Sequence, residues 1–379
     1  MRRKIVVFHP GTQHVKHLVH FLQEKGFDFT FYTEVSKSSE KDYLNLWLRY
    51  LPKRLYNIDS NRLVSVFGLE ILEILANRFG MTSISRELND IGNKYFQSKI
   101  ESEINKSDSI LWGFNTSSYH VFEKANANSF KILEQTIGHP ERYNELMLAE
   151  QSHYKKGQIK LKSARSIEIA NIEINSADAV IVGSSFCKDT INPLLHNKIH
   201  VVAYPSNFKN EYIRNLKSLP RRITFLFVGQ VSPRKGVAHI VKTAKLFPQH
   251  NFILAGPVMC DLGSVPANVH LKGPVNRNQL VDLYREANCF LFPSIYEGSA
   301  LVLREAKAFG LPIIQSRNAG DGVKHMVDGI VLEKINEFEI SRAIEMLLEN
   351  NFYLLKNFSN SKVVDDRLDY YKFIEKLLL

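Results

Sequence analysis

The chain has 379 residues, 44% hydrophobic and 23% charged, which is enough apolar material for two folded domains and excludes a disordered or fibrous chain. Its net charge of +10 and pI near 9.3 leave anionic partners open, whether small molecules, acidic lipid surfaces or nucleic acid, beside ordinary solubility charge. The three cysteines, Cys187, Cys260 and Cys289, stand far apart with no metal-ligand spacing, and no stretch reaches the roughly 18–20 apolar residues of a membrane span.

The first apolar run, residues 5–8, reads as a buried parallel strand. It is too short for a signal peptide and stops at His9-Pro10-Gly11, so a cytoplasmic protein is expected. Pro10-Gly11-Thr12-Gln13 forms the first strand-to-helix loop. Residues 15–25 carry apolar positions at helical spacing (Val15, Leu18, Val19, Leu22), and residues 27–33 form the next strand. From 36 to 102 no clear strand stands out, and helices are expected. Within that region, residues 43–54 join Tyr43, Trp47 and Tyr50 to Lys53-Arg54. Such a mixture suits an interfacial helix touching the inner face of a membrane; a core helix with a basic end is the plainer alternative. Strands follow at 108–112 and 131–135, then Thr136-Ile137-Gly138-His139, then strands at 177–182 and 198–203.

A polar stretch, 207–221, makes the best domain boundary. Beyond it the alternation of strands and helices starts again, with strands at 223–228, 252–255, 269–271, 289–292, 312–315 and 329–332; that alternation implies parallel sheets. The tail from 363 carries Leu368, Tyr371, Ile374 and Leu378 at helical spacing. The second half is organised around CFLFPSIYEGSALVLREAKAFGLP, residues 289–312. It reads as a strand, a polar loop and a helix stopped by Gly310 and Pro312. The helix N-terminus at Ser299, Ala300 and Leu301 offers N–H groups suited to a phosphate. Glu297 in the loop and Glu305 in the helix lie eight positions apart, and carboxylates so placed accept hydrogen bonds from sugar hydroxyls.

Four pieces in order carry a resemblance: Phe227-Val228-Gly229 with Arg234-Lys235-Gly236, Ile253-Leu254-Ala255-Gly256, Val269-His270-Leu271-Lys272-Gly273, and the two glutamates. Together they resemble the retaining glycosyltransferases of family 4, the group-1 glycosyltransferases. The likeness covers residues 222–349 and runs more faintly through the first half. It implies the GT-B fold, an α/β arrangement of two Rossmann-like domains whose parallel sheets face a central cleft. Residues 1–206 would be the acceptor-side domain and 207–362 the nucleotide-sugar domain. Residues 363–379 would be a helix crossing back to the first domain.

The resemblance also implies roles. Lys235 and Arg234 fall on the diphosphate of a nucleotide-sugar donor, Glu305 on its ribose, and Glu297 on the sugar ring near the reacting face. Backbone near Gly273-Pro274-Val275 takes the base, the Gly11 loop faces the cleft, and His139 touches the transferred sugar or the acceptor. Plain alternatives remain for Gly11 (a tight turn), His139 (a structural histidine) and Arg234-Lys235 (a solvated turn). The chain departs from the family in having one glycine in the first loop and Gln230 where arginine often follows the strand glycine. No Asp-x-Asp motif ends a strand, and Asp365-Asp366 lies in the helical tail, so neither metal nor separate cofactor is expected. The acceptor implied is a glycan or a lipid-linked glycan, as in bacterial surface polysaccharide assembly. Two other classes compete: a GT-B-fold scaffold without turnover, and a nucleic-acid-binding protein, which lacks any recognised binding module.

Overall fold

The computed structural model describes residues 3–11, 14–34, 36, 55–66, 72, 76, 81–104, 108–205, 220–349 and 366–379. The stretch 43–54, expected above to touch a membrane, and most of the boundary stretch 207–221 lie outside them.

Two parallel sheets carry the chain. The first contains β1 (Lys4–Phe8), β2 (Phe29–Thr33), β3 (Leu63–Ser65), β4 (Ser109–Phe114), β5 (Phe130–Gln135), β6 (Ala179–Val182) and β7 (Ile199–Val201). Its order is β3-β2-β1-β4-β5-β6-β7. The second contains β8 (Thr224–Val228), β9 (Asn251–Ala255), β10 (Val269–Gly273), β11 (Cys289–Phe292), β12 (Ile313–Ser316) and β13 (Ile330–Leu332), in the order β10-β9-β8-β11-β12-β13. Every pairing in both sheets is parallel. Helices cover both faces, so the central strands read as unbroken apolar runs; β11, Cys-Phe-Leu-Phe, is buried at all four positions. Strand β3 corrects the expectation of helices alone between 36 and 102. It has three half-buried residues and no alternation long enough to show in a sequence.

Helices connect the strands: α1 (Val15–Glu24), α2 (Thr82–Ile104), α3 (Tyr119–Lys124), α4 (Pro140–Ala149), α5 (Ala164–Ser176) and α6 (Ser185–Asp189) in the first domain, then α7 (Val237–Leu246), α8 (Arg277–Glu286), α9 (Leu301–Ala308) and α10 (Glu337–Glu349) in the second. The last helix, α11 (Asp366–Leu378), returns to the first sheet and buries Tyr370 and Ile374 in the core formed with α1. Tyr370 donates its hydroxyl to Glu134 at 2.7 Å, and Trp112 donates its indole N–H to the same oxygen at 3.0 Å. A fully buried carboxylate with aromatic donors on it fixes where the tail can dock.

In each sheet the strand order reverses once along the chain, between β1 and β4 and between β8 and β11. Ligands of open parallel sheets bind outside the carboxyl ends at such points. The two sheets present those ends to each other. A Cβ built on Gly298, in the loop after β11, would fall 1.9 Å from the carbonyl oxygen of Thr136, in the loop after β5. Only glycine allows the two backbones to approach that closely.

Candidate active site

Strand β8 ends at Val228, and Gly229 turns the chain at φ +146°. A 3₁₀ turn, Pro233–Lys235, follows, and Gly236 closes it in the left-handed region at φ +67° before α7 starts. This turn places Arg234 and Lys235 beside the loop after β11, the neighbouring strand across the reversal point. Both converge on one oxygen, Glu297 Oε1. Arg234 donates to it at 2.7 Å and Lys235 pairs with it more closely, while Ser294 donates its hydroxyl at 3.1 Å. Arg234 also donates to the Tyr296 carbonyl at 2.8 Å. The Lys235 ammonium lies 4.7 Å from the centre of the Phe292 ring. Lys235 and Glu297 are each 8% exposed. Burial pulls the Lys235 ammonium below the usual lysine range, and the Glu297 carboxylate works against that fall.

Glu305 sits on α9, its carboxylate accepting the Tyr284 hydroxyl at 2.8 Å with Arg277 at 3.5 Å. Burial, followed by the nearby Glu305 charge, pushes the Tyr284 hydroxyl well above its ordinary value, so Tyr284 stays a donor. The N-terminus of α9 differs from the sequence expectation at one position: the Ala300 N–H donates to the Ala319 carbonyl at 3.3 Å and is not left for a phosphate. Ser299 lies against the first domain, where a Cβ on Gly183 would meet its Cβ at 2.9 Å. Val275 is half-buried against the second core, two residues past Gly273, and Gln230 is exposed just after β8.

The first domain grips the same loop. Ser184 donates its hydroxyl to the Gly298 carbonyl at 2.6 Å, and the Tyr296 hydroxyl donates to the His139 carbonyl at 3.0 Å. Ser185 adds backbone and hydroxyl bonds to Asp321 at 2.6 and 2.5 Å. The structure thus brings the backbone of His139 to the loop but not its ring to Glu297. The ring caps α4, Nδ1 accepting the Glu141 N–H at 3.3 Å. It lines a separate cavity of about 630 Å³ with Arg142, Asn171, Phe186 and Arg317, whose lining includes neither Glu297 nor Lys235. Burial holds the imidazole below its ordinary pKa. Gly11, after β1, is pinned by its own neighbours: its N–H donates to His9 Nδ1 at 2.7 Å and its carbonyl accepts the Tyr56 hydroxyl at 3.1 Å. Sequence reasoning passed over Ser294, Tyr296, Tyr284 and Ser184. Ser294 and Tyr296 stood inside the quoted motif, but nothing local marked their partners, which lie up to 157 positions away.

Two parallel α/β domains, with cations and a carboxylate gathered where the carboxyl ends face each other, define a GT-B protein. The structure superposes on sucrose-phosphate synthase from Thermosynechococcus elongatus over 99% of both chains, with a TM-score of 0.66 at 16% identity. Residues 208–362 match the family model described as glycosyl transferases group 1, and the chain carries a group 1 glycosyltransferase domain. An uncharacterized glycosyltransferase of Bacillus subtilis, YqgM, is 26% identical over 213 residues, 53% of this chain and 58% of that protein. The UDP-Gal:alpha-D-GlcNAc-diphosphoundecaprenol alpha-1,3-galactosyltransferase of Escherichia coli is 28% identical over 145 residues, 34% of this chain and 38% of that protein. The aligned part therefore spans less than two thirds of these curated relatives.

Proposed function

We propose that the protein is a retaining, family-4 type glycosyltransferase that moves a sugar from a nucleotide-diphosphate donor to a glycan or lipid-linked acceptor in surface polysaccharide assembly. The observation that carries this reading is the convergence of Arg234 and Lys235 on Glu297 between β8 and β11. Breaking the glycosidic bond gathers negative charge on the leaving diphosphate and positive charge on the sugar carbon. Two fixed cations suit the first and a carboxylate suits the second. With no donor between them they satisfy each other. The diphosphate takes over the two cations, Glu297 turns to the sugar ring, and Glu305 takes the ribose hydroxyls beside Tyr284. No metal enters this scheme. Acceptor attack comes from the face the leaving group departs from. The lipid-linked acceptor and UDP-sugar of the Escherichia coli relative support the substrate classes.

A panel of nucleotide sugars tests the reading. One of them should raise the melting temperature, because a ligand bound only by the folded state stabilises it, and the same compound should release nucleoside diphosphate. Failure of every donor in both measurements rejects it. The ion pairing that already satisfies Glu297 favours a second reading, a binding protein without turnover. That reading predicts a melting shift with no release under any acceptor.

A further inference from the structure

We infer that Glu150, His153 and His239 form a site for one divalent transition-metal ion, of the zinc type, that pins the first domain to the second. Glu150 caps the C-terminus of α4, and a 3₁₀ turn, Gln151–His153, carries the chain on from it; the His153 N–H donates to the Glu150 carbonyl at 3.0 Å. That turn puts both side chains on one side. His239 faces them from the first turn of α7, in the other domain. One potential ligand atom from each of the three lies within 4.8 Å of the others. His239 Nε2 is 2.8 Å from Glu150 Oε2, and the two imidazole rings are 4.6 Å apart at 73°. Zinc with nitrogen and oxygen bonds of about 2.0–2.2 Å needs tetrahedral ligand atoms about 3.4 Å apart, so modest side-chain rotations close the set, with water as fourth ligand.

The second observation is an orphan. His239 is 1% exposed, and its Nδ1 has no hydrogen-bond partner. In a bare histidine–carboxylate pair the proton sits on Nε2, toward Glu150, and Nδ1 is left unsatisfied. An ion on Nε2 moves the proton to Nδ1, which then points at the Glu337 carboxylate 3.6 Å away. Metal-ligating histidines characteristically donate their other N–H to a carboxylate in this way. Lys242 now bonds one of the three, its Nζ 2.7 Å from His153 Nδ1, and lies 3.9 Å from Glu337. Its side chain is 39% exposed, so it can leave. Two imidazoles and one carboxylate select zinc, cobalt or nickel over magnesium and calcium, which prefer all-oxygen sites. The site shares no residue with the Glu297 cluster and stands apart from the reading of that cluster.

Chelator-stripped, untagged protein titrated with Zn²⁺ and Co²⁺ tests the site. The wild type should take up one equivalent, gain the visible absorption of four-coordinate Co²⁺ and melt at higher temperature; Mg²⁺ should do none of this. His153→Gln, at a half-buried position, should stay folded by circular dichroism and lose all three responses. Glu337→Gln should bind about 10–100-fold more weakly. Substoichiometric uptake by the wild type, or equal uptake by His153→Gln, overturns the inference.

Discussion

Replacing Lys235 by Met separates its charge from its bulk. Methionine keeps an apolar stem of similar length, but the ammonium that lies 4.7 Å from the centre of the Phe292 ring and meets Glu297 would be gone. Removing one partner of a buried ion pair commonly costs about 3–5 kcal/mol, because a charge is left alone. Here Glu297 keeps Arg234 at 2.7 Å and Ser294 at 3.1 Å on the same oxygen. The loss should therefore fall nearer the about 1–3 kcal/mol of an under-satisfied buried acceptor. A fold with a typical margin of about 5–15 kcal/mol survives that. Catalysis should suffer more. A preorganised donor aimed at developing negative charge is worth about 10²–10³ in kcat, roughly 2.7–4 kcal/mol. The assay is nucleoside-diphosphate release by the competent donor, with kcat and KM separated and folding followed by melting. Folded Lys235→Met with wild-type kcat/KM would refute the diphosphate role. A loss of rate matched by a collapse of the melting transition would show that the lysine holds the fold and not the leaving group.

The two glutamates should fail differently: Glu305→Gln should raise KM, because ribose is held throughout the reaction, and Glu297→Gln should lower kcat; steady-state kinetics that leave both parameters unchanged in both variants reject the assignment. Turnover should continue in EDTA even where chelation lowers the melting temperature; activity lost in EDTA and restored by Mg²⁺ or Mn²⁺ points to metal-assisted transfer. Burial, then the neighbouring His14 and His20, holds His17 down to about 4. Its folded pKa lies below the unfolded value near 6.5, so the unfolded chain binds the proton first, and stability falls as the pH drops from 6.5 toward 4. His17→Gln should flatten that acid limb of a urea-denaturation series by about 1–2 kcal/mol, after allowing for the group's partial exposure; an unchanged limb assigns it elsewhere. Residues 43–54 should give weak, salt-sensitive binding to anionic vesicles, and equal pelleting of wild type and a Trp47→Glu, Lys53→Glu double variant removes that stretch as the contact.

What was legible in the sequence follows from physics that is local. Parallel strands buried on both faces are written as continuous apolar runs, so β1, β8 and β11 stood out. The end of α9 was equally plain, because Gly310 at φ +64° and Pro312 leave a helix little choice. The Glu297 and Glu305 pair showed as spacing within one loop and helix. What each of them touches did not show. Lys235 meets Glu297 across 62 positions, and only the sheet order puts β8 next to β11. The same holds for His14, which pairs with Glu134 and stacks on Tyr204 at 4.0 Å; no local pattern marks a histidine whose partners come from distant parts of the chain. His139 shows how a helix start redirects a side chain. The resemblance put it on the transferred sugar or the acceptor, with a structural histidine as the alternative; Pro140 starts a helix there, and the imidazole caps it while lining a cavity apart from Glu297.

The loop that carries Glu297 is held from both domains, and this ties chemistry to domain position. Within the second domain, the Ile295 N–H donates to the Arg234 carbonyl at 2.9 Å, and Asn318 donates to the Ile295 carbonyl at 2.8 Å. From the first domain come Ser184 on Gly298 and the His139 carbonyl under Tyr296. Separating the domains breaks the second set and leaves the first intact. The cations and the carboxylate would then stay together while the loop lost its outer support. Under the proposed function a nucleotide sugar would have to reach Lys235 and Glu297, each 8% exposed, and would enter when that outer support is open. It would stabilise the closed state only by the difference between its contacts in the two arrangements. By linkage, anything that favours closure, such as the ion inferred on His239, would tighten donor binding by the same factor by which donor would favour closure.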